Sequence, residues 1–298
     1  WRRLLGELVT SNYYGRMSAL AHDAGLRFQF ETAFGDIVCG DILEYFKYAD
    51  TPMCEFWQPA RPRNALPLAA KPVRPAVSAA HLYGKKRVAA EAFTSGRLTF
   101  GERLRDLRYY ANGHLAAGIT HLAFHTYTHN PRTDSLPPGS SFGGDIGTPF
   151  LRGETWWGFM PLFTDYFARC GELLEDGLPV SDVLWYLGDE VGQRPDEDAP
   201  FPAGYRYDYC NSDAILNVLR VEKGFLKTLQ GVAYRVLWIP DCRRLRPEVV
   251  EKLASFAEQG GMVAFERLPT GPATLSGGEK SQERFAAALA RLRAKTLP

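Results

Sequence analysis

Residues 51–57 read Thr-Pro-Met-Cys-Glu-Phe-Trp, and residues 86–93 read Lys-Arg-Val-Ala-Ala-Glu-Ala-Phe. Each is a short apolar run of the kind that forms a buried strand. Each carries one glutamate, Glu55 in the first run and Glu91 in the second. The two glutamates are about one strand–helix unit apart, which predicts two parallel strands joined by a crossover helix.

The alternation of strand and helix extends to both sides of these runs. Residues 26–31 predict a strand that ends at Glu31, and residues 119–125 predict a strand that ends at His125. In a closed barrel of eight such units, functional side chains lie at the C-terminal ends of the strands. We therefore interpret residues 1–177 as the C-terminal half of a (β/α)8 TIM-type barrel, with these side chains at its mouth.

The pattern changes after this region. Apolar runs that predict strands recur at residues 180–187, 234–239 and 261–265. A helical pattern lies between the last two runs, which is typical of a doubly wound α/β unit with a core of its own. We predict a flavodoxin-like three-layer α/β domain over residues 178–272, followed by a C-terminal tail and helix over residues 273–298.

The composition excludes several classes of protein. Of the 298 residues, 45% are hydrophobic and 23% are charged, which is ordinary for a globular chain. The formal net charge of +1 gives no electrostatic basis for a nucleic-acid partner. No apolar run approaches the roughly 20 residues that span a bilayer, so we expect no membrane partner either.

The two glutamates are the strongest candidates for catalysis. Glu55 lies between Cys54 and Phe56, and Glu91 lies between two alanines, so a carboxylate without a role in such surroundings would be costly. Two carboxyl groups that flank a scissile bond are what glycoside hydrolysis requires. We predict that both are catalytic and leave open which one is the acid and which the base.

Other side chains are candidates for contacts with a sugar or a metal. Trp57 and Trp156 offer rings on which a sugar can stack, although rings in such patterns are often core residues. His125 and His129 are able to bind sugar hydroxyls, and a polar loop over the site is the alternative for this pair. Glu31, together with Glu55 or Glu91, would supply oxygen ligands for Ca²⁺, which takes several of them.

An ordered set of short segments carries a family resemblance. The segments are residues 12–15, 24–28, 50–57, 89–95, 155–157, 166–170 and 178–186. With them the chain resembles glycoside hydrolase family 106, the α-L-rhamnosidases. The resemblance implies an inverting, calcium-dependent hydrolase that removes terminal α-L-rhamnose from polysaccharides or glycosides, in a secreted or periplasmic setting. It also implies that Glu55 and Glu91 are the catalytic carboxylates.

The chain departs from the family in length. Family members have a complete barrel, whereas this sequence predicts only about four barrel strands and begins at Trp1 without a signal peptide. The missing N-terminal half of the barrel is therefore an expected partner beside the carbohydrate substrate, and we expect the isolated fragment to be inactive. Two alternatives are another barrel glycosidase, such as a β-galactosidase-like enzyme, and a non-catalytic carbohydrate-binding relative.

Overall fold

A computed structural model describes residues 1–32, 40–58, 73–96, 100–129, 146–189, 199–274 and 277–295. The helices are α1 (Arg2–Val9), α2 (Arg16–Asp23), α3 (Ile42–Lys47), α4 (Val73–Tyr83), α5 (Leu104–Ala116), α6 (Met160–Asp176), α7 (Pro247–Glu258) and α8 (Gly278–Arg293). The first six strands are β1 (Gln29–Glu31), β2 (Thr51–Trp57), β3 (Ala89–Thr94), β4 (His121–Phe124), β5 (Val183–Tyr186) and β6 (Tyr207–Cys210). The other strands are β7 (Arg220–Glu222), β8 (Phe225–Lys227), β9 (Ala233–Tyr234), β10 (Val236–Ile239), β11 (Arg244–Leu245), β12 (Met262–Phe265) and β13 (Gly271–Pro272).

The first sheet has four parallel strands in the order β1-β2-β3-β4. One face of this sheet is apolar, because Cys54 and Phe56 lie on it on either side of Glu55 and are almost fully buried. Helix α5 covers this face through His114, whose ring stacks on Phe56 at 4.0 Å. The opposite face carries Glu55 and Glu91.

Helix α3 connects β1 to β2 and helix α4 connects β2 to β3, and the two helices are stabilised in different ways. Helix α3 begins at Asp41, whose carboxylate accepts hydrogen bonds from the backbone N–H groups of Leu43 and Glu44. Helix α4 is buried along almost its whole length and contacts both β2 and β6. Its small residues Ser78, Ala79 and Ala80 permit this close packing on two sides.

The second sheet is also parallel, with the strand order β12-β10-β5-β6. The predicted α/β class with parallel sheets is therefore confirmed. Strand β6 was not predicted, and neither was the small antiparallel sheet formed by β7, β8 and β9. The predicted run at residues 234–239 is divided between β9 and β10, which belong to different sheets.

Helix α8 packs against α7 and buries Phe285, Leu289 and Leu292. Two ion pairs with paired hydrogen bonds lie along this contact, Arg284 with Glu251 and Arg291 with Glu258. The proposed domain limits at residues 177 and 272 stay predictions. Among the described helices, none is both long and apolar enough to cross a bilayer.

Candidate active site

Glu55 and Glu91 are direct neighbours across the β2–β3 ladder, where their Cα atoms are register partners. In-register residues of adjacent parallel strands point to the same face, and the strands are about 4.8 Å apart. Both glutamates therefore lie on the face opposite the helices α4 and α5. The sequence-based expectation that the two carboxylates lie close together agrees with this geometry.

Glu55 is the more buried of the two and is only 4% exposed. The indole Nε1 of Trp57 donates a hydrogen bond of 3.0 Å to its Oε2. Trp57 lies two residues further along the same strand and so on the same face. The indole thus holds the carboxylate of Glu55 in place. The Trp57 ring lies at the edge of the site, close to Gly96.

Glu91 has a more open setting, with 26% of its side chain exposed. Thr94 Oγ1 donates a hydrogen bond of 2.8 Å to Glu91 Oε1. The imidazole Nδ1 of His125 lies 4.0 Å from the same oxygen. His125 therefore stands beside the carboxylate pair, at the end of β4, as the sequence predicted.

A β-bulge interrupts β3 just after Glu91. Phe56 pairs with Ala92 and Trp57 pairs with Thr94, so Phe93 is the extra residue. Its φ angle is 71°, which a bulky side chain rarely adopts. Because of the bulge, Phe93 is fully buried on the apolar face and Thr94 is on the carboxylate face.

Thr148 completes the backbone hydrogen bonds around the bulge. Its buried hydroxyl donates to the carbonyl oxygen of Phe93 at 2.5 Å, and the side-chain amide of Gln58 donates to that hydroxyl. The backbone N–H of Gln58 donates to the carbonyl oxygen of Thr94 at 2.7 Å. The chain that follows β4 therefore supports the bulge from outside the sheet.

The other predicted ligands of substrate are more scattered. Trp156 packs edge-on against the buried Phe150, with ring centroids 5.9 Å apart, and is partly buried. His129 is exposed four residues beyond His125. A contact of either residue with substrate stays a prediction.

Glu31 belongs to the same face as the pair of Glu55 and Glu91. It is the register partner of Met53, which precedes Glu55 by one strand period. In the part of the chain that the structure describes, no group of three or more His, Cys, Asp or Glu side chains is arranged to hold a metal ion. Because Ca²⁺ also takes backbone carbonyl oxygens and waters as ligands, a calcium ion held by Glu31 with Glu55 or Glu91 stays a prediction.

The loop that follows β4 contributes one further carboxyl group. Burial raises the pKa of Glu154, and the nearby charge of Glu102 adds to this effect. Glu154 lies two residues before Trp156 in this loop.

Sequence reasoning missed Thr94 and Thr148. Strict alternation along β3 would place Phe93, not Thr94, on the face of Glu91. The signal that the sequence does contain is the change to Thr-Ser-Gly after Phe93, which marks the end of the strand but does not reveal a bulge.

Two glutamates on one face of a parallel sheet, beside an indole and an imidazole, form the kind of carboxylate pair that glycoside hydrolysis requires. The family model described as alpha-L-rhamnosidase, glycoside hydrolase family 106, matches residues 1–296. The chain belongs to this α-L-rhamnosidase family, and the resemblance of its short segments is confirmed.

Two proteins that are similar to this chain carry different names. A rhamnosidase structure from Novosphingobium sp. PP1Y superposes with a TM-score of 0.85 at 27% identity, over 99% of this chain and 28% of that one. A protein of Formosa agariphila named "Putative beta-glucuronidase" is 33% identical over 267 residues, which are 88% of this chain and 22% of the relative. The chain thus spans about a quarter of the length of these relatives.

Proposed function

We propose that this chain supplies part of the active site of a glycoside hydrolase that removes terminal α-L-rhamnose from polysaccharides or glycosides. The observation that carries the proposal is the in-register pair of Glu55 and Glu91 on the polar face of the first sheet. Membership of the α-L-rhamnosidase family and the likeness to the Novosphingobium rhamnosidase support the choice of sugar.

The proposed architecture around the site is the C-terminal half of a (β/α)8 barrel. Four sequential parallel strands, with helices on the face opposite the carboxylates, support this assignment. The second sheet, with β5 and β10 in its centre, supports a flavodoxin-like unit. The partner that completes the barrel would be the other half of the same enzyme, and a secreted or periplasmic setting suits a polysaccharide substrate.

In the proposed mechanism the two carboxyl groups act on opposite sides of the glycosidic bond. One carboxylic acid gives its proton to the leaving oxygen as the C–O bond breaks, and the other carboxylate takes a proton from the attacking water. The water oxygen forms the new bond at the anomeric carbon, so the sugar is released with inverted configuration. The Trp57 indole holds Glu55 in place, and His125 is positioned to contact sugar hydroxyls beside Glu91.

A retaining mechanism is the second candidate, and the same register favours it. Residues that pair directly across a ladder keep their carboxyl groups close unless the side chains diverge. A separation of about 5–5.5 Å suits a carboxylate that attacks the anomeric carbon, whereas inversion needs about 6.5–9.5 Å. The name of the Formosa relative adds β-glucuronides to the substrates that a test must include.

Calcium dependence stays a proposal that rests on the family alone. No step of the proposed mechanism depends on such an ion. Assay with and without a calcium chelator tests this point.

The test uses the full-length protein with aryl α-L-rhamnoside, β-galactoside and β-glucuronide. We expect rhamnoside turnover, with Glu55→Gln and Glu91→Gln each lowering kcat by roughly 10²- to 10⁴-fold. Glu222→Gln, at an exposed ion pair of the β7–β8 hairpin, is the control and should keep full activity. NMR of the first-formed anomer separates inversion from retention.

Two results would refute the proposal. Wild-type kcat in a folded Glu55→Gln or Glu91→Gln variant would remove that residue from catalysis. Absence of turnover of all three substrates, with unchanged sugar binding in both variants, would identify a non-catalytic carbohydrate-binding protein.

A further inference from the structure

We infer that Thr94 is a positioning residue for Glu91, and that the bulge at Phe93 places the Thr94 hydroxyl on the carboxylate face. This inference rests on the proposed catalytic role of Glu91. Its physical basis is the hydrogen bond of 2.8 Å from Thr94 Oγ1 to Glu91 Oε1.

Strand alternation shows why the bulge is needed. In a regular strand the side chains of residues 91 and 93 share one face, and residue 94 belongs to the other. A regular β3 would therefore put the Phe93 ring beside Glu91 and bury the Thr94 hydroxyl among the helices. The extra residue reverses both assignments, since Thr94 becomes the register partner of Trp57.

The bulge is stabilised from both sides of the chain. The Phe93 ring is fully buried against Phe56, Phe124 and Phe150, with ring centroids 5.2–5.7 Å away. The carbonyl oxygen of Phe93 accepts a hydrogen bond from the hydroxyl of Thr148. Burial of the ring and this hydrogen bond offset the strain of a positive φ angle at a non-glycine residue.

The Thr94 hydroxyl restricts the orientation of the Glu91 carboxylate. The terminal torsion of a glutamate side chain is broad, so a carboxylate without a fixed donor samples many rotations. The Thr94 hydroxyl, which donates to Oε1, selects one rotation of this carboxylate. His125 Nδ1, at 4.0 Å from the same oxygen, is too far to donate a hydrogen bond in this arrangement.

The experiment compares Thr94→Val, Thr94→Ala and Thr94→Ser in the full-length protein with the aryl glycoside that it turns over. We expect Thr94→Val and Thr94→Ala to lower kcat by about 10- to 100-fold, the range for losing a hydrogen bond to a charged group, with little change in KM. Thr94→Ser, which restores the hydroxyl, should recover most of the rate.

Two comparisons separate positioning from folding. Thr51→Val makes the same change at a buried threonine at the N-terminal end of β2 and should leave kcat unchanged. In a Glu91→Gln background, Thr94→Val should cause no further loss, since a residue that acts through Glu91 has nothing left to act on.

The inference is overturned by wild-type kcat in Thr94→Val and Thr94→Ala, provided that Glu91→Gln is inactive. Equal losses in Thr94→Ser and Thr94→Val would also overturn it, because the hydroxyl would then be irrelevant. Full activity of Glu91→Gln is a different result, which refutes the proposed catalytic role of Glu91 and the inference with it.

Discussion

Gly171 in α6 lies against the backbone of the chain that leads into β4. A Cβ atom added at this position would come within 2.3 Å of the carbonyl oxygen of Thr120. Because that oxygen belongs to the backbone, it cannot move aside as a side-chain tip can. This residue therefore sets how closely α6 approaches the first sheet, and with it the position of the Phe163 and Phe167 rings that contact Phe93.

Gly171→Ala should destabilise the protein although alanine is the better helix former. We expect a loss of about 1–3 kcal/mol, the usual cost of inserting a methyl group into a filled space. Gly113→Ala in α5 is the matched control, because nothing lies within 4 Å of its added Cβ. It should stabilise by about 0.5–1 kcal/mol. Denaturant unfolding measures both, and equal signs for the two variants would contradict the expectation.

At the same scale, the sequence predicts which residues bear the chemistry better than how they are held. Glu55 and Glu91 stand out because carboxylates are unexpected in apolar runs, and their register agrees with that reading. The donors Trp57 and Thr94 differ in this respect. The position of Trp57 follows from strand alternation. The position of Thr94 depends on a bulge, and the Thr148 hydroxyl that donates to the Phe93 carbonyl oxygen there is too distant in sequence to leave a local signal.

Helix α3 contains an acid whose charge is disfavoured by its surroundings. Burial raises the pKa of Glu44 to about 7, and the charges of Asp41 and Asp213 act in the same direction. Lys47 opposes the shift and Glu7 adds slightly to it. The helix therefore carries a proton on Glu44 that the unfolded chain would release at lower pH.

Stability should consequently fall through this group as pH rises from about 4.5 to about 7. In that window the folded chain holds a proton that the unfolded chain has lost, so rising pH favours unfolding. Glu44→Gln should flatten this slope and stabilise the protein by about 1–2 kcal/mol at pH 8, after allowance for solvent screening of a half-exposed group. Unfolding curves at pH 5 and pH 8 check this, and an unchanged difference between them would count against it.

At the scale of elements, apolar runs longer than four residues were predicted well, as β2 and β3 show. Strand β6 was not predicted, since Tyr-Asp-Tyr-Cys contains a charged residue in its centre. Asp208 is tolerated there only because partners from α4 and β9 reach it. The hairpin of β7 and β8 consists of three-residue strands, which are too short for a periodic pattern.

At the scale of the whole molecule, α4 links the two four-stranded parallel sheets, because it contacts β2 of the first sheet and β6 of the second. Asp208 of β6 is 2% exposed and accepts hydrogen bonds from Tyr234 and from the His81 ring of α4, at 2.9 and 2.8 Å. Burial alone would raise the pKa of Asp208, but His81 and the hydrogen-bond donors outweigh it and lower the pKa. Arg74 of α4 also donates to the carbonyl oxygen of Tyr207 at 2.8 Å.

Asp208→Ala should weaken both sheets together. The variant leaves the His81 ring and the Tyr234 hydroxyl without their shared acceptor, and each unsatisfied buried donor costs about 1–3 kcal/mol. In a variant whose sole tryptophan is Trp57, fluorescence emission reports on the first sheet. In a variant whose sole tryptophan is Trp238, it reports on the second sheet. We expect both probes to report the same lowered midpoint in denaturant.

Glu222→Ala, at an exposed pair with Lys227, is the control and should leave the midpoint in place. A shift confined to the Trp238 signal would mean that the two sheets unfold independently and that α4 does not couple them.

The burial of α4 on two sides also limits how its sequence can vary. Eight of its eleven residues are buried, and several are alanine or serine because neither neighbour leaves room for more. In a library of all single substitutions, selected for folded protein, this helix should accept the fewest replacements. The outer face of α8, which borders only one helix, should accept many. A helix that serves as an inner wall for two sheets has almost no surface on which mutations can accumulate.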